Sequence, residues 1–153
     1  MVDVVDSATR SRMMAGIKGK NTRPELIIRC GLHRMGYRFR LHVKRLPGKP
    51  DLVFPKYRAV IQVHGCFWHG HGCHLFKWPS TRQEFWKEKI TGNKNRDARN
   101  LVALNELGLR TLTIWECALK GLGQVKIENV LIEASKWLKN NEDSRNITGR
   151  VKP

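Results

Sequence analysis

Apolar positions recur along this chain in two rhythms, and the switches between them mark out its elements. Met13, Met14 and Ile17 fall at helical spacing behind Ser7 and Thr9, which predicts an N-terminal helix over residues 7–20. A second helix opens at residues 21–25, where Thr22 and Glu25 have capping-box spacing and Pro24 suits the first turn. Leu26, Ile27, Cys30 and Met35 supply its apolar positions, and Gly36 ends it. Residues 37–42 alternate with period two, as a half-buried strand does. A loop at 46–50, a short strand at 51–54 and a turn at 55–57 lead to a more apolar strand at 58–64. Residues 65–79 show no period. Ser80 with Gln83, or Thr81 with Glu84, offers a cap for a helix carrying Phe85, Trp86 and Ile90. Gly92 and Asn93 are expected to break or kink that helix, which resumes over 97–107 and closes at Gly108. A strand at 110–116 and a helix at 127–138 follow. The polar tail, 141–153, is expected to fray.

Helix, helix, three strands, helices, strand, helix is the order of an α/β protein with a central mixed sheet flanked by helices. The first strands are close enough to form hairpins, and the last follows a helical crossover that allows parallel pairing. At 153 residues, with no repeat and no linker, the chain reads as one domain over 1–140. No apolar run is long enough to span a membrane, and the first residues do not read as a secretory signal, so a cytoplasmic protein is expected. In that compartment the four cysteines are expected as thiols or metal ligands, not disulfides. The formal charge is +16. It is uneven: residues 1–50 hold twelve Lys/Arg against three Asp/Glu. The cations are spread through amphipathic segments, which points to a basic folded surface and a polyanionic partner, with nucleic acid favoured.

Chemistry concentrates in residues 64–74, which hold four of the six histidines and two of the four cysteines. They follow the apolar run Ala59-Val60-Ile61-Gln62-Val63, so they sit at the end of a rigid element. Cys66, His71, Cys73 and the distant Cys117 have the composition of a structural Cys₃His zinc site; the bland reading is free, buried thiols. Cys30 reads as core, His33 and His42 as surface or half-buried residues without a role, and His74 stays unassigned. Pro50-Asp51 heads one strand, and Gln62 and His64 share a face of the next. Asp51 either caps its strand or binds a hard cation such as Mg²⁺. His64 and His69 either transfer protons or buttress the zinc site. Phe67 and Trp68 lie among these groups, and Trp86 is flanked by Lys87 and Lys89. Such aromatics stack on bases or wedge between them, although core packing serves Trp86 equally well. Trp115 and Trp137 read as core.

Several segments together resemble the very-short-patch-repair (Vsr) endonucleases. They are Leu46-Pro-Gly-Lys-Pro-Asp51, Val60-Ile-Gln-Val-His-Gly-Cys-Phe-Trp-His69, His71-Gly-Cys73, Leu75-Phe-Lys, Pro79-Ser-Thr-Arg, Glu84-Phe-Trp86, Glu88-Lys89-Ile, Asn93, Arg96-Asp97 and Trp115-Glu-Cys117-Ala-Leu. The opening Ala8-Thr-Arg-Ser-Arg-Met-Met14 is also similar to theirs. The resemblance implies a restriction-endonuclease-like fold with an added structural zinc. It implies Mg²⁺-dependent nicking of one strand on the 5′ side of the thymine in a T·G mismatch, the lesion left by deamination of 5-methylcytosine. Carried over, Asp51 and the main-chain carbonyl of Val63 hold Mg²⁺. His69, oriented by Asp97, is the acid–base residue. Glu25 and His64 organise water around the phosphate, and Cys66, His71, Cys73 and Cys117 bind zinc. Phe67, Trp68 and Trp86 wedge into the duplex, Met14 on the N-terminal helix enters from the other groove, and Lys89 and Asn93 contact the mismatched pair or its neighbours. Double-stranded DNA is the implied partner, the protein acting as a monomer and mismatch-repair proteins being further candidates. Position 63 is Val where a relative in that family has threonine; Gly70 and Gly72 replace histidines of a longer run. The rival readings are a non-catalytic zinc-stapled nucleic-acid-binding protein and a restriction-type nuclease acting on paired duplex.

Overall fold

The computed structural model describes residues 22–150. The expected N-terminal helix and Met14 lie outside the described residues. Elements run in the order α1 (Arg23–Arg34), β1 (Arg40–Leu41), β2 (Leu52–Phe54), a 3₁₀ turn (Pro55–Tyr57), β3 (Ala59–His64), α2 (Gln83–Glu106), β4 (Arg110–Trp115), a second 3₁₀ turn (Glu116–Ala118), α3 (Ile127–Lys139) and β5 (Arg145–Ile147). The sheet is mixed, in the order β1-β2-β3-β4-β5. β1, β2 and β3 pair antiparallel, with Leu52 opposite Ile61. β4 pairs parallel with β3, setting His64 beside Trp115, and β5 pairs parallel with β4. No helix among the described residues is long and apolar enough to cross a membrane.

Alternation along the strands divides the interior. Leu52, Phe54, Ala59, Ile61, Leu112 and Ile114 turn to one side and pack with Ile28 and Leu32 of α1 and Val130, Ala134, Trp137 and Leu138 of α3. Val53 and Val60 turn the other way, against Leu104 of α2. The result is three layers, with the sheet between α2 and the α1/α3 pair. Arg110 clamps one end of it: its guanidinium donates to the carbonyls of Tyr57, Trp137, Leu138 and Glu142 and lies 4.5 Å above the Trp137 ring. These bonds satisfy terminal carbonyls of α3 that have no partner within the helix.

Several sequence expectations change. Thr22 caps α1 as predicted, its Oγ1 accepting from the Glu25 amide. The helix is rotated, however: Glu25, Ile28 and Leu32 are buried, while Leu26, Cys30 and Met35 are exposed. The strand expected over 37–42 shrinks to Arg40–Leu41. Neither Ser80 nor Thr81 caps α2; Arg82 stands at its N-cap in a left-handed conformation, φ +52°. Gly92 and Asn93 do not interrupt that helix, which runs 24 residues. The tail does not simply fray after residue 140: it adds β5, with Ile147 buried.

Candidate functional site

β3 ends where three clusters of titratable side chains meet. Val63 and His64 are its last residues, and each anchors one cluster. The Val63 amide donates to Asp51 Oδ2 at 2.7 Å. Asp51 sits just before β2, next to the pairing register, so the hairpin itself delivers this carboxylate to the end of β3. Glu25 reaches the same point from α1, and His42 from the turn after β1. His42 Nε2 lies 2.8 Å from Glu25 Oε2, and Arg29 Nη1 is 2.9 Å from the same oxygen. The donor atoms of Glu25, His42 and Asp51 all lie within 4.8 Å of one another. Burial, together with the neighbouring Glu25 carboxylate, pushes the Asp51 carboxyl up to about 7, against the pull of the Val63 amide. Two carboxylates packed this closely disfavour joint ionisation unless a positive charge joins them. Arg29 supplies such a charge on the Glu25 side, and a divalent cation between Glu25 and Asp51 would supply it to both.

His64 opens the second cluster on the α2 side of the sheet. Its ring lies flat on His69, with centroids 3.8 Å apart and planes 2° apart. His69 Nδ1 lies 2.6 Å from Asp97 Oδ2. Asp97 is presented from the middle of α2, whose Ile90 and Leu104 are buried on either side of it. The His64 Nδ1 is buried and finds no partner among the described residues. Burial, assisted by His69, pushes the His64 imidazole down to about 3, so it stays neutral. Both rings line a cleft of about 550 Å³ whose rim carries Lys44, Lys49 and Arg96.

The third cluster is Cys66, His71, Cys73 and Cys117. The loop winds tightly: the His71 amide donates to the Cys66 carbonyl and the Cys73 amide to the His71 carbonyl. Cys117 arrives from the turn after β4. His71 Nδ1 is 3.5 Å from Cys66 Sγ and 3.6 Å from Cys117 Sγ. The Gly149 amide points at Cys117 Sγ at 3.2 Å. Burial pushes the Cys66 and Cys117 thiols up and the His71 imidazole down. Three sulfurs and one nitrogen within 4.8 Å of one another match the donor set and the crowding of a tetrahedral soft-metal site.

Trp115 stands between the second and third clusters and is not the plain core residue the sequence suggested. It stacks on His71 at 4.1 Å and 10°, and meets His64 edge-on at 5.2 Å. Its Nε1 donates to Asn146 of β5. The aromatics gather beside α2: Phe67 contacts Trp68 and Trp86, each at 5.3 Å between centroids, and Trp68 lies 5.9 Å from Trp86. Trp68 is exposed and Trp86 half-buried. Asn93, expected at the DNA, donates to the Trp68 carbonyl at 2.8 Å and so braces this group. Lys89 is exposed on the same helix. The sequence reading missed three members of this neighbourhood. Trp78 and Phe85 extend the aromatics to the surface; Trp78 follows Lys77 and Phe85 adjoins Trp86 and Lys87, a closeness of aromatics and cations that was a usable signal. His42, read as a bystander, belongs to the Asp51 cluster.

A family model described as "DNA mismatch endonuclease Vsr" matches residues 2–75. The type II nicking enzyme V.XorIIP of Xanthomonas oryzae pv. oryzae is 47% identical over 133 residues, which are 86% of this chain and 98% of that protein. The DNA mismatch endonuclease Vsr of Escherichia coli K12 is 46% identical over 138 residues, 90% of this chain and 88% of its own. The type II nicking enzyme V.NmeAIP of Neisseria meningitidis serogroup A is 42% identical over 120 residues, covering 78% and 86% of the two chains.

Proposed function

The chain belongs to the Vsr family of DNA mismatch endonucleases, and on that footing we propose that it nicks one strand of duplex DNA 5′ of the thymine in a T·G mismatch, opening very-short-patch repair. The observation that carries this reading is the junction at Val63 and His64: a buried carboxylate cluster on one side of β3 and a His–His–Asp relay on the other, joined by a single peptide link. A non-catalytic DNA-binding protein has no use for that pairing.

Asp51 and the Val63 carbonyl would hold Mg²⁺, with Glu25 close by; the ion would supply positive charge to the phosphate and the departing 3′ oxygen. His69 Nδ1–H donates to Asp97 Oδ2, which leaves Nε2 as the atom that takes the proton from attacking water. Asp97 stabilises the imidazolium that results. His64 stays neutral and walls one face of His69. Lys44, Lys49 and Arg96 at the cleft rim attract the backbone. Phe67, Trp68 and Trp86 would wedge into the mismatched step, where weak pairing lowers the cost of unstacking. Lys89 would reach the same step, and Met14 would approach it from the other groove. A wedge on one side suits an unsymmetrical lesion and a monomeric enzyme. Zn²⁺ at Cys66, His71, Cys73 and Cys117 would hold the loop that carries His69, Phe67 and Trp68.

The test is an end-labelled duplex with one T·G pair, incubated with Mg²⁺. One cut 5′ of the thymine is expected from the native chain and none from Asp51→Asn. Equal cutting of fully paired duplex would remove the mismatch assignment, and nicking by Asp51→Asn at the native rate would remove the mechanism.

A further inference from the structure

The backbone at His42 has an unusual conformation. Its φ is +47°, in the left-handed region that side-chain-bearing residues avoid and that histidine, asparagine and aspartate tolerate best. The turn is held there by the amide of His42, which donates to the Asp51 carbonyl at 3.1 Å. One consequence is that the imidazole does not continue the alternation of β1. It swings inward, its Nε2 2.8 Å from Glu25 Oε2, and its side chain keeps only 18% of its exposure. Among the described residues, the donor atoms grouped with it are those of Glu25 and Asp51. A pair of carboxylates is enough for Mg²⁺, which takes oxygen ligands and gives up water reluctantly. A nitrogen donor adds little for Mg²⁺ and more for a first-row transition ion.

We propose that His42 is a nitrogen ligand of the divalent cation at Asp51 and Glu25, and that it biases this site toward Mn²⁺ over Mg²⁺. The inference rests on the reading of Asp51 as the cation's anchor and adds to it the identity of the preferred ion. When no ion is bound, Nε2 rests against Glu25; on binding, it exchanges that contact for the metal. His69 and Asp97 keep their roles whichever ion is present.

The experiment uses zinc-loaded protein, so that the thiolate site is filled, with Mn²⁺ as the probe. Asn is the chosen replacement, because it tolerates positive φ and retains a donor toward Glu25. Calorimetric titration should give an Mn²⁺ dissociation constant about tenfold or more below that for Mg²⁺ in the native chain. In His42→Asn the Mn²⁺ advantage should disappear while Mg²⁺ affinity changes little. Pulsed electron paramagnetic resonance of the Mn²⁺ complex should show a directly bound ¹⁴N that is lost in His42→Asn. Mn²⁺ binding should vanish in Asp51→Ala. If the ¹⁴N signal is absent from the native complex, or persists in His42→Asn, His42 is not a ligand and the inference falls. If instead Mn²⁺ binding survives Asp51→Ala unchanged, the anchor itself is misassigned and the functional reading fails with it.

Discussion

His69 faces Asp97 through Nδ1 at 2.6 Å and His64 across a 3.8 Å stack, so its two neighbours have different tasks. The carboxylate fixes the tautomer, whereas the second ring fixes the plane. His69→Ala should therefore lower single-turnover nicking by about 10²–10⁴-fold, the usual worth of a general base, with T·G duplex affinity unchanged. Asp97→Asn should cost less, about 10–100-fold, because it disturbs orientation without removing the base. Quench-flow rates beside binding isotherms separate the two, and an equal loss in affinity would contradict the assignment. Residue by residue, legibility in the sequence followed chemistry that crowds. Cys66, His71 and Cys73 fall within eight positions, and Cys117 follows a strand, so their convergence could be read directly. His42 could not. Its place depends on a positive φ, and period-two alternation gives no warning of it. Cys30 misled for a related reason: burying Glu25 against Asp51 sets the rotation of α1 and turns the Cys30 thiol to solvent.

At the scale of elements, α2 overrode its own local signals. Gly92 costs a helix interior about 1 kcal/mol relative to alanine, yet it did not break the helix. Ile90 and Leu104 are buried at two separate turns and Asp97 is bonded between them, so tertiary contacts keep the stretch helical across the glycine. A Cβ added at Gly92 would meet no atom within 4 Å. Gly92→Ala should thus raise stability by about 0.5–1 kcal/mol, through better helix propensity and a less flexible unfolded chain. Urea denaturation checks this; a lower midpoint would mean that α2 needs the glycine's freedom. The parallel pairing of β4 with β3 was readable from the crossover helix between them. β5 was not, because Arg145, Asn146 and Ile147 form a short and mostly polar strand whose partner, not its composition, recruits it.

For the whole molecule, the sulfur cluster is the joint between the sheet and the irregular 65–79 loop. That loop carries His69, Phe67 and Trp68 but contributes little to either apolar core. Its order should then depend on the ion. Removing zinc with a strong chelator should lower the melting temperature sharply, since a structural zinc of this type contributes on the order of 10 kcal/mol of apparent binding energy. Nicking should stop as well, and added Mg²⁺ should not restore it. Calorimetry and the T·G assay, each repeated after zinc is returned, measure both effects. An unchanged melting temperature in metal-free protein would show that the loop holds itself.

The short final strand gives this joint an unexpected dependence. Asn146 accepts from the Trp115 indole, and the amide of Gly149 reaches Cys117 Sγ, while a Cβ on Gly149 would come within 2.3 Å of the Cys117 carbonyl oxygen. A premature stop codon or a protease cut near residue 140 would spare every signature residue that identifies the family, yet it would take away the brace behind two of them. A gene survey that scores such a chain by its motifs alone would count it as intact although this brace is gone.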